Sequence, residues 1–190
     1  MDISKHSDLL YFLKACTASI LDKPCDPIIQ SGAKAFNAAI DASSPKTFTV
    51  NDLPVVLHLN SIYDSPFTFN FQQIATSLQW IPSPRTDYCG KSIALCSFNE
   101  MLALKNIVAG LVFMRPNQVY PQHSHSPQEL YFILSGNAKW LFGGNTQYKN
   151  KTSGDLIYNH PNDIHGIKTE NEPLLALYVL WGKSTEKYRI

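Results

Sequence analysis

Apolar positions in the first 45 residues follow helical spacing. Leu9, Leu10, Leu13, Cys16, Ile20 and Leu21 recur at roughly the 3.6-residue helical period behind Ser7, a candidate N-cap. Lys23-Pro24 closes this helix. Asp26-Pro27 opens a second as N-cap and first helical residue, and Ile28, Ile29, Ala35, Phe36, Ala39 and Ile40 form its apolar stripe until Ser43-Ser44-Pro45 ends it. Residues 46–90 are mixed: Val55–Leu59 reads as a short strand or a helical turn, Phe67–Trp80 as a helix, and Pro82 and Pro84 mark a loop. From about Asp87 the pattern turns to β. Short apolar runs end at Lys105-Asn106, Arg115-Pro116-Asn117, Ser135-Gly136-Asn137, Gly143-Gly144-Asn145, Ser153-Gly154-Asp155 and Pro161-Asn162-Asp163. Ile107–Met114 is apolar throughout and reads as a strand buried on both faces. The division expected is a helical N-terminal extension over 1–86, packed on a β-barrel or double sheet over 87–190.

Composition narrows the class. The chain of 190 residues is 44% hydrophobic, 12% aromatic and 16% charged, too apolar for a disordered chain and long enough for one substantial core. Its net charge of +1 is spread without a basic block, which argues against a nucleic-acid or anionic-membrane partner. The most apolar run, Pro173–Trp181, is strand-sized and well short of the ~20 residues a membrane helix needs. Asp2, Lys5, His6, Asp8 and Lys14 interrupt any signal-peptide core. Cys16, Cys25, Cys89 and Cys96 form no CxxC pair and read as free thiols of a cytoplasmic protein.

One segment concentrates the chemistry: Tyr120-Pro121-Gln122-His123-Ser124-His125-Ser126-Pro127-Gln128-Glu129-Leu130-Tyr131. On extended backbone, residues two apart share a face. His123 and His125 therefore project together, as do Glu129 and Tyr131. Two imidazoles and a carboxylate make three arms of a metal site, and His165, returning after the Pro161-Asn162-Asp163 turn, makes a fourth. Nitrogen and carboxylate ligands suit one divalent Zn, Fe, Mn, Ni or Co ion. The other histidines lack such company: His6 reads as solvated, His58 as packed in the N-terminal half, and His160 as a turn residue. Lys139 reads as a solvated strand position, Arg85 and Arg115 as surface or structural cations, and Asp155 as a cap on turn amides.

The spacing H-x-H-x3-E-x6-G over His123, His125, Glu129 and Gly136, then G-x10-H over Gly154 and His165, resembles the two-part signature of the cupin barrel. The second half departs slightly, because its proline, Pro161, falls one residue late and Asp163 stands where a glycine is usual. Tyr120-Pro121-x-His123-x-His125-x3-Glu129-x-Tyr131, followed by Gly136, Ala138 and Trp140, further resembles the dimethylsulfoniopropionate (DMSP) lyase-like cupins. So does the tail from Glu172-Pro173-Leu174-Leu175-Ala176 to Trp181-Gly182. The resemblance runs over about residues 100–182. It implies a mainly β cupin (double-stranded β-helix) with helices ahead of it, a homodimer, and a small zwitterionic carboxylate substrate. The implied reaction is β-elimination of DMSP to dimethyl sulfide and acrylate.

That chemistry needs a base for the proton next to the carboxylate. Tyr131, on the Glu129 face, is the candidate; Tyr120 is the reserve base or a substrate-positioning hydroxyl. A free tyrosine has a pKa near ~10, and a neighbouring cation favours its phenolate. The sulfonium would be attracted to aromatic faces. Tyr88, Trp140, Tyr158, Tyr178 and Trp181 are candidates for such a cage, with Tyr178 and Trp181 on opposite faces of the last strand. Two other readings keep the same frame: a different metal cupin enzyme (an Fe(II) oxygenase or an isomerase on a small carboxylate) and a non-catalytic small-ligand-binding cupin. A tyrosine beside the metal argues for proton abstraction over oxygen chemistry. The scarcity of basic residues in the N-terminal helices argues against a DNA-linked sensor.

Overall fold

The computed structural model describes residues 3–50, 59, 62, 65–85, 91–143, 145–183 and 185–188. Val55–Leu59 falls almost wholly outside them, as do His58, Tyr88 and Cys89; within that stretch only Leu59 is described, and it is buried. Two helices lead, α1 (Ile3–Leu21) and α2 (Pro27–Asp41). α1 starts before Ser7 because no glycine or proline in Ile3–His6 interrupts it. At α2 the Asp26 carboxylate accepts from the Ile28 amide at 2.9 Å with Pro27 behind it, the expected cap.

The helix expected over 67–80 shrinks to α3 (Phe71–Ile74) and a 3-10 turn (Ala75–Ser77). Phe69 and Asn70 both take positive φ ahead of it, and Leu78 is already extended. The chain then enters β1 (Trp80–Pro82), which pairs with β2 (Ile93–Ser97). The sheet thus begins ahead of residue 87. Pro82 is tolerated because β1 is an edge strand, where a missing amide costs no ladder bond. A short helix α4 (Phe98–Met101) leads to β3 (Ile107–Met114), β4 (Val119–His123), β5 (Gln128–Ser135), β6 (Asn137–Leu141), β7 (Lys149–Thr152), β8 (Leu156–Asn159), β9 (His165–Lys168) and β10 (Leu174–Trp181). They form two antiparallel sheets, β1-β2-β3-β10-β5-β8 and β4-β9-β6-β7. This is a mainly β, cupin-type barrel with helices in front. Among the described residues no helix is long and apolar enough to cross a membrane.

The larger sheet is buried on both faces, which explains its unbroken apolar strands. Leu175, Leu177, Val179 and Trp181 of β10 join Phe12, Leu13, Ala33 and Phe36 of the helices in one core. Leu174, Ala176, Tyr178 and Leu180 face the other way, into a second core with Tyr131, Trp140 and Ile167 inside the barrel. β3 and β5 alternate in the same sense. Period-two alternation therefore sorts every second residue of these strands to the barrel interior. At Gly136 (φ +87) the turn between β5 and β6 runs against the Pro173 carbonyl, and a Cβ there would lie 1.9 Å from that oxygen.

Among the described residues Cys16, Cys25 and Cys96 are free thiols, as expected. Asp155 caps the turn, accepting from the Thr152 amide at 3.0 Å.

The helix-to-sheet contact is close enough to reverse an ordinary substitution rule. Gly32 lies on the Trp181 indole, and an added Cβ would stand 2.7 Å from ring carbons. Alanine in a helix interior normally gains about 0.5–1 kcal/mol over glycine. Overpacking costs about 1–3 kcal/mol. Gly32→Ala should therefore lower the urea midpoint. A raised midpoint would contradict this packing.

Candidate functional site

Three imidazoles converge at one end of the barrel. His123 at the end of β4 pairs in register with His165 at the start of β9, past an irregularity after Tyr120. His125 lies just beyond β4, its carbonyl held by the Asn162 amide at 2.7 Å. Each imidazole is oriented by its own loop: Nδ1 meets the Pro121 carbonyl at 2.9 Å in His123, the Pro127 carbonyl at 3.1 Å in His125, and the Asp163 carbonyl at 2.9 Å in His165. A carbonyl only accepts, so Nδ1 carries the proton and Nε2 presents its lone pair. The three rings offer ligand atoms within 4.8 Å of one another.

Glu129 reaches this group from β5. Its Oε2 lies 3.3 Å from His125 Nε2 and 3.1 Å from His165 Nε2, and accepts from Asn159 Nδ2 at 2.9 Å. Asn159 is its cross-strand partner on β8. The two Nε2 atoms are buried and find no hydrogen bond despite that proximity. Buried nitrogens left unpaired cost on the order of 1–3 kcal/mol each. Lone pairs spaced about 3–3.5 Å apart around one point are what ligands about 2.0–2.2 Å from a metal present. The donor set thus fits a divalent ion, with Asn159 fixing the carboxylate from behind.

The electrostatics agree. Burial and the neighbouring His165 hold His123 down at about 4, so it is neutral and available as a ligand. Burial alone would raise Glu129, but the His125 and His165 side chains outweigh it and hold the carboxyl well below its ordinary range. Burial lowers His125, yet Glu129 more than offsets it and the net shift is upward.

A cavity of about 120 Å³ opens over this cluster. Tyr131 and Tyr178, cross-strand partners on β5 and β10, both line it with ring centroids 6.4 Å apart. Burial pushes the Tyr131 phenol well up, and Glu129, Tyr120 and Tyr178 add to that. Tyr120 also lines the cavity; burial raises it, while Arg85 pulls the other way. The Tyr178 hydroxyl is buried without a partner. It sits over Gly110, where any Cβ would come within 2.4 Å of that oxygen.

The other aromatic candidates scatter. Trp140 does not line the cavity; its ring packs behind Tyr131, centroids 4.9 Å apart. Trp181 faces the helices against Gly32, and Tyr158 stacks near it at 5.9 Å, bonded to Gln128. His160 is exposed and pairs with the Tyr158 ring at 4.6 Å. Lys139 is bonded to Glu170 on the outer face. Arg115 points its guanidinium at the Lys91 carbonyl.

Two residues at the cavity mouth were not among the expected site residues. Arg85, which read as a surface cation, lines the opening. Tyr188, in a 3-10 turn at Thr185–Tyr188, also lines it, with its ring 5.6 Å from His125 and its hydroxyl bonded to the Ser126 amide at 3.3 Å. Neither carries a spacing signal relative to the histidines, so only the fold reveals them.

Residues 93–176 match the DMSP lyase family model. The curated DMSP lyase DddQ of Ruegeria pomeroyi is 31% identical over 97 residues. Over residues 93–176 the chain is similar to the DMSP lyase-like cupin family. That alignment covers 50% of this chain and about half (47%) of the DddQ sequence. In three dimensions the likeness extends further. The crystal structure of DddQ from Ruegeria pomeroyi superposes with a TM-score of 0.78 at 21% identity, covering 97% of this chain and 94% of DddQ. A structure from the work on the DMSP lyases RdDddP and RnDddQII gives 0.75 at 18% identity, covering 96% of each chain. At those identities the structural matches establish the shared fold, helices included.

Metal-free protein should bind one divalent ion, Zn, Fe, Mn, Ni or Co, and His165→Ala should abolish that binding in calorimetry or chelator competition. Asn159→Ala should weaken it about 10- to 100-fold while leaving the stoichiometry at one. Affinity should also fall on acidification: protonated His125 cannot ligate, and its upward shift moves the competition to higher pH than for an ordinary histidine.

Proposed function

We propose that this protein is a metal-dependent DMSP lyase that cleaves its substrate to dimethyl sulfide and acrylate. The observation that carries the reading is the placement of the Tyr131 phenol in the same cavity as His123, His125 and Glu129, with His165 completing the imidazole cluster beside them. An oxygenase has no need of a phenol there, whereas an elimination needs a base beside the carboxylate seat. The match of residues 93–176 to the DMSP lyase family model supports the same reading.

His123, His125, Glu129 and His165 would hold the ion. Once bound, a divalent ion at this site would seat the substrate carboxylate, stabilise negative charge developing beside it, and draw the Tyr131 phenol toward phenolate. In the protein alone, burial and Glu129 disfavour that phenolate. Tyr131 then takes the proton from the carbon next to the carboxylate. The electron pair of that C–H bond becomes the new C=C bond, and the bond from the β carbon to sulfur breaks with its pair leaving on sulfur. Neutral dimethyl sulfide departs, acrylate remains, and the proton rests on the Tyr131 oxygen until it passes to solvent. Tyr120, in the same cavity, is the reserve base or orients the carboxylate. Tyr178, through its ring face or its unpartnered hydroxyl, borders the space for the sulfonium end. Trp140 supports this arrangement from behind Tyr131. The role proposed for Tyr88 concerns a residue outside those described.

A positioned general base contributes roughly 10²- to 10⁴-fold. Tyr131→Phe should therefore lower dimethyl sulfide release, read by headspace gas chromatography on metal-loaded protein, by at least about 100-fold. Its metal content should match the unmodified protein. Undiminished release from Tyr131→Phe would remove Tyr131 from the mechanism. No dimethyl sulfide from the unmodified protein with any of the five metals would overturn the lyase reading.

A further inference from the structure

The cavity has a polarity. Its deep wall is apolar, built from Leu95, Val108, Val112 and Leu180, all buried. Its mouth is formed by exposed Pro84 and Arg85 and half-buried Tyr188. Among the described residues lining it, Glu129 is the only carboxylate, and Arg85 is the only cationic side chain apart from the imidazoles. Glu129 faces His125 and His165 and accepts from Asn159. Arg85 has no carboxylate partner among the described residues.

Arg85 is placed by its surroundings. Its amide lies 3.4 Å from the Ser83 hydroxyl, and Ser83 is buried, its own amide bonded to the Ile93 carbonyl on β2. The loop is thus tied to the sheet edge, and the guanidinium reaches the Tyr120 side chain. Exposed Arg85 and buried Tyr120 line the same cavity as His123 and His125.

We propose that Arg85 is the carboxylate-recognition residue of this site. It binds one oxygen of a short-chain monocarboxylate from the mouth side, leaving the other oxygen to face the imidazole cluster in the same cavity. A guanidinium presents a planar fork of donors that matches a carboxylate. The Tyr120 hydroxyl beside it adds a further donor. A cationic far end is repelled by Arg85, and Tyr178 offers it an aromatic face in the same cavity. The inference rests on the lyase reading for its substrate, but the carboxylate seat is testable without it.

The test is calorimetric binding of acrylate and propionate, with acrylamide and propionamide as neutral isosteres. The proteins are the unmodified chain, Arg85→Gln and Arg85→Lys, each metal-free and metal-loaded, with metal content and thermal midpoint recorded. Arg85 is exposed, so both variants should fold with unchanged midpoints. Arg85→Gln should weaken acrylate binding on the order of 10- to 100-fold in both metal states. Arg85→Lys should fall between, and the amides should bind weakly and alike to all three proteins. With DMSP, KM should rise in Arg85→Gln while kcat changes little. Equal acrylate affinity in Arg85→Gln and the unmodified protein would overturn the proposal, as would no carboxylate binding by the unmodified protein. Arg85-dependent acrylate binding without dimethyl sulfide formation would keep the carboxylate seat and reject the lyase reading. Dimethyl sulfide formation with an unchanged KM in Arg85→Gln would do the reverse.

Discussion

The structure of the site depends on how three imidazoles are oriented. Each gives its Nδ1 proton to a carbonyl of its own loop, and each therefore turns Nε2 toward the same point. Two of those nitrogens are buried without a hydrogen-bond partner, beside a carboxylate that is itself buried. Left alone, this is a costly arrangement, with unpaired acceptors and a charge removed from water. A bound cation relieves all of it at once. The cost is carried by the rest of the barrel, which supplies the burial and holds the loops.

That support comes from strands with two apolar faces. In β5, Leu130 and Phe132 pack toward the helices while Glu129 and Tyr131 point inward. The helices are thus part of the site's construction: without α1 and α2 the outer face of β3, β5 and β10 would be exposed, and the alternation would no longer fix which side Glu129 and Tyr131 occupy. The close seat of the Trp181 indole on Gly32 shows how tightly that outer layer meets the sheet.

Much of this was readable from residue order. The motif's spacing brings His123, His125, Glu129 and His165 together on paper, and the fold does converge them, although His125 lies beyond the end of β4 and the β4 register is irregular after Tyr120. Strand parity separates Tyr178, in the cavity, from Trp181, on the helices. Reading failed where position depends on long-range packing. Phe67–Trp80 has helical composition, but positive φ at Phe69 and Asn70 and the pairing of β1 with β2 override it. Trp140 follows the motif closely in sequence, yet it lies behind Tyr131. Arg85 and Tyr188 come to the mouth through a loop and a C-terminal turn, and no local pattern announces either.

The central claim is that the Tyr131 cavity removes the proton next to the substrate carboxylate as sulfur departs. The most direct measurement is the kinetic isotope effect on kcat/KM for DMSP deuterated at that carbon, read as dimethyl sulfide release by metal-loaded protein. A clear primary effect is expected, because the proposed elimination breaks that C–H bond. Dimethyl sulfide released at the same kcat/KM from labelled and unlabelled substrate, or none released from either, would contradict it.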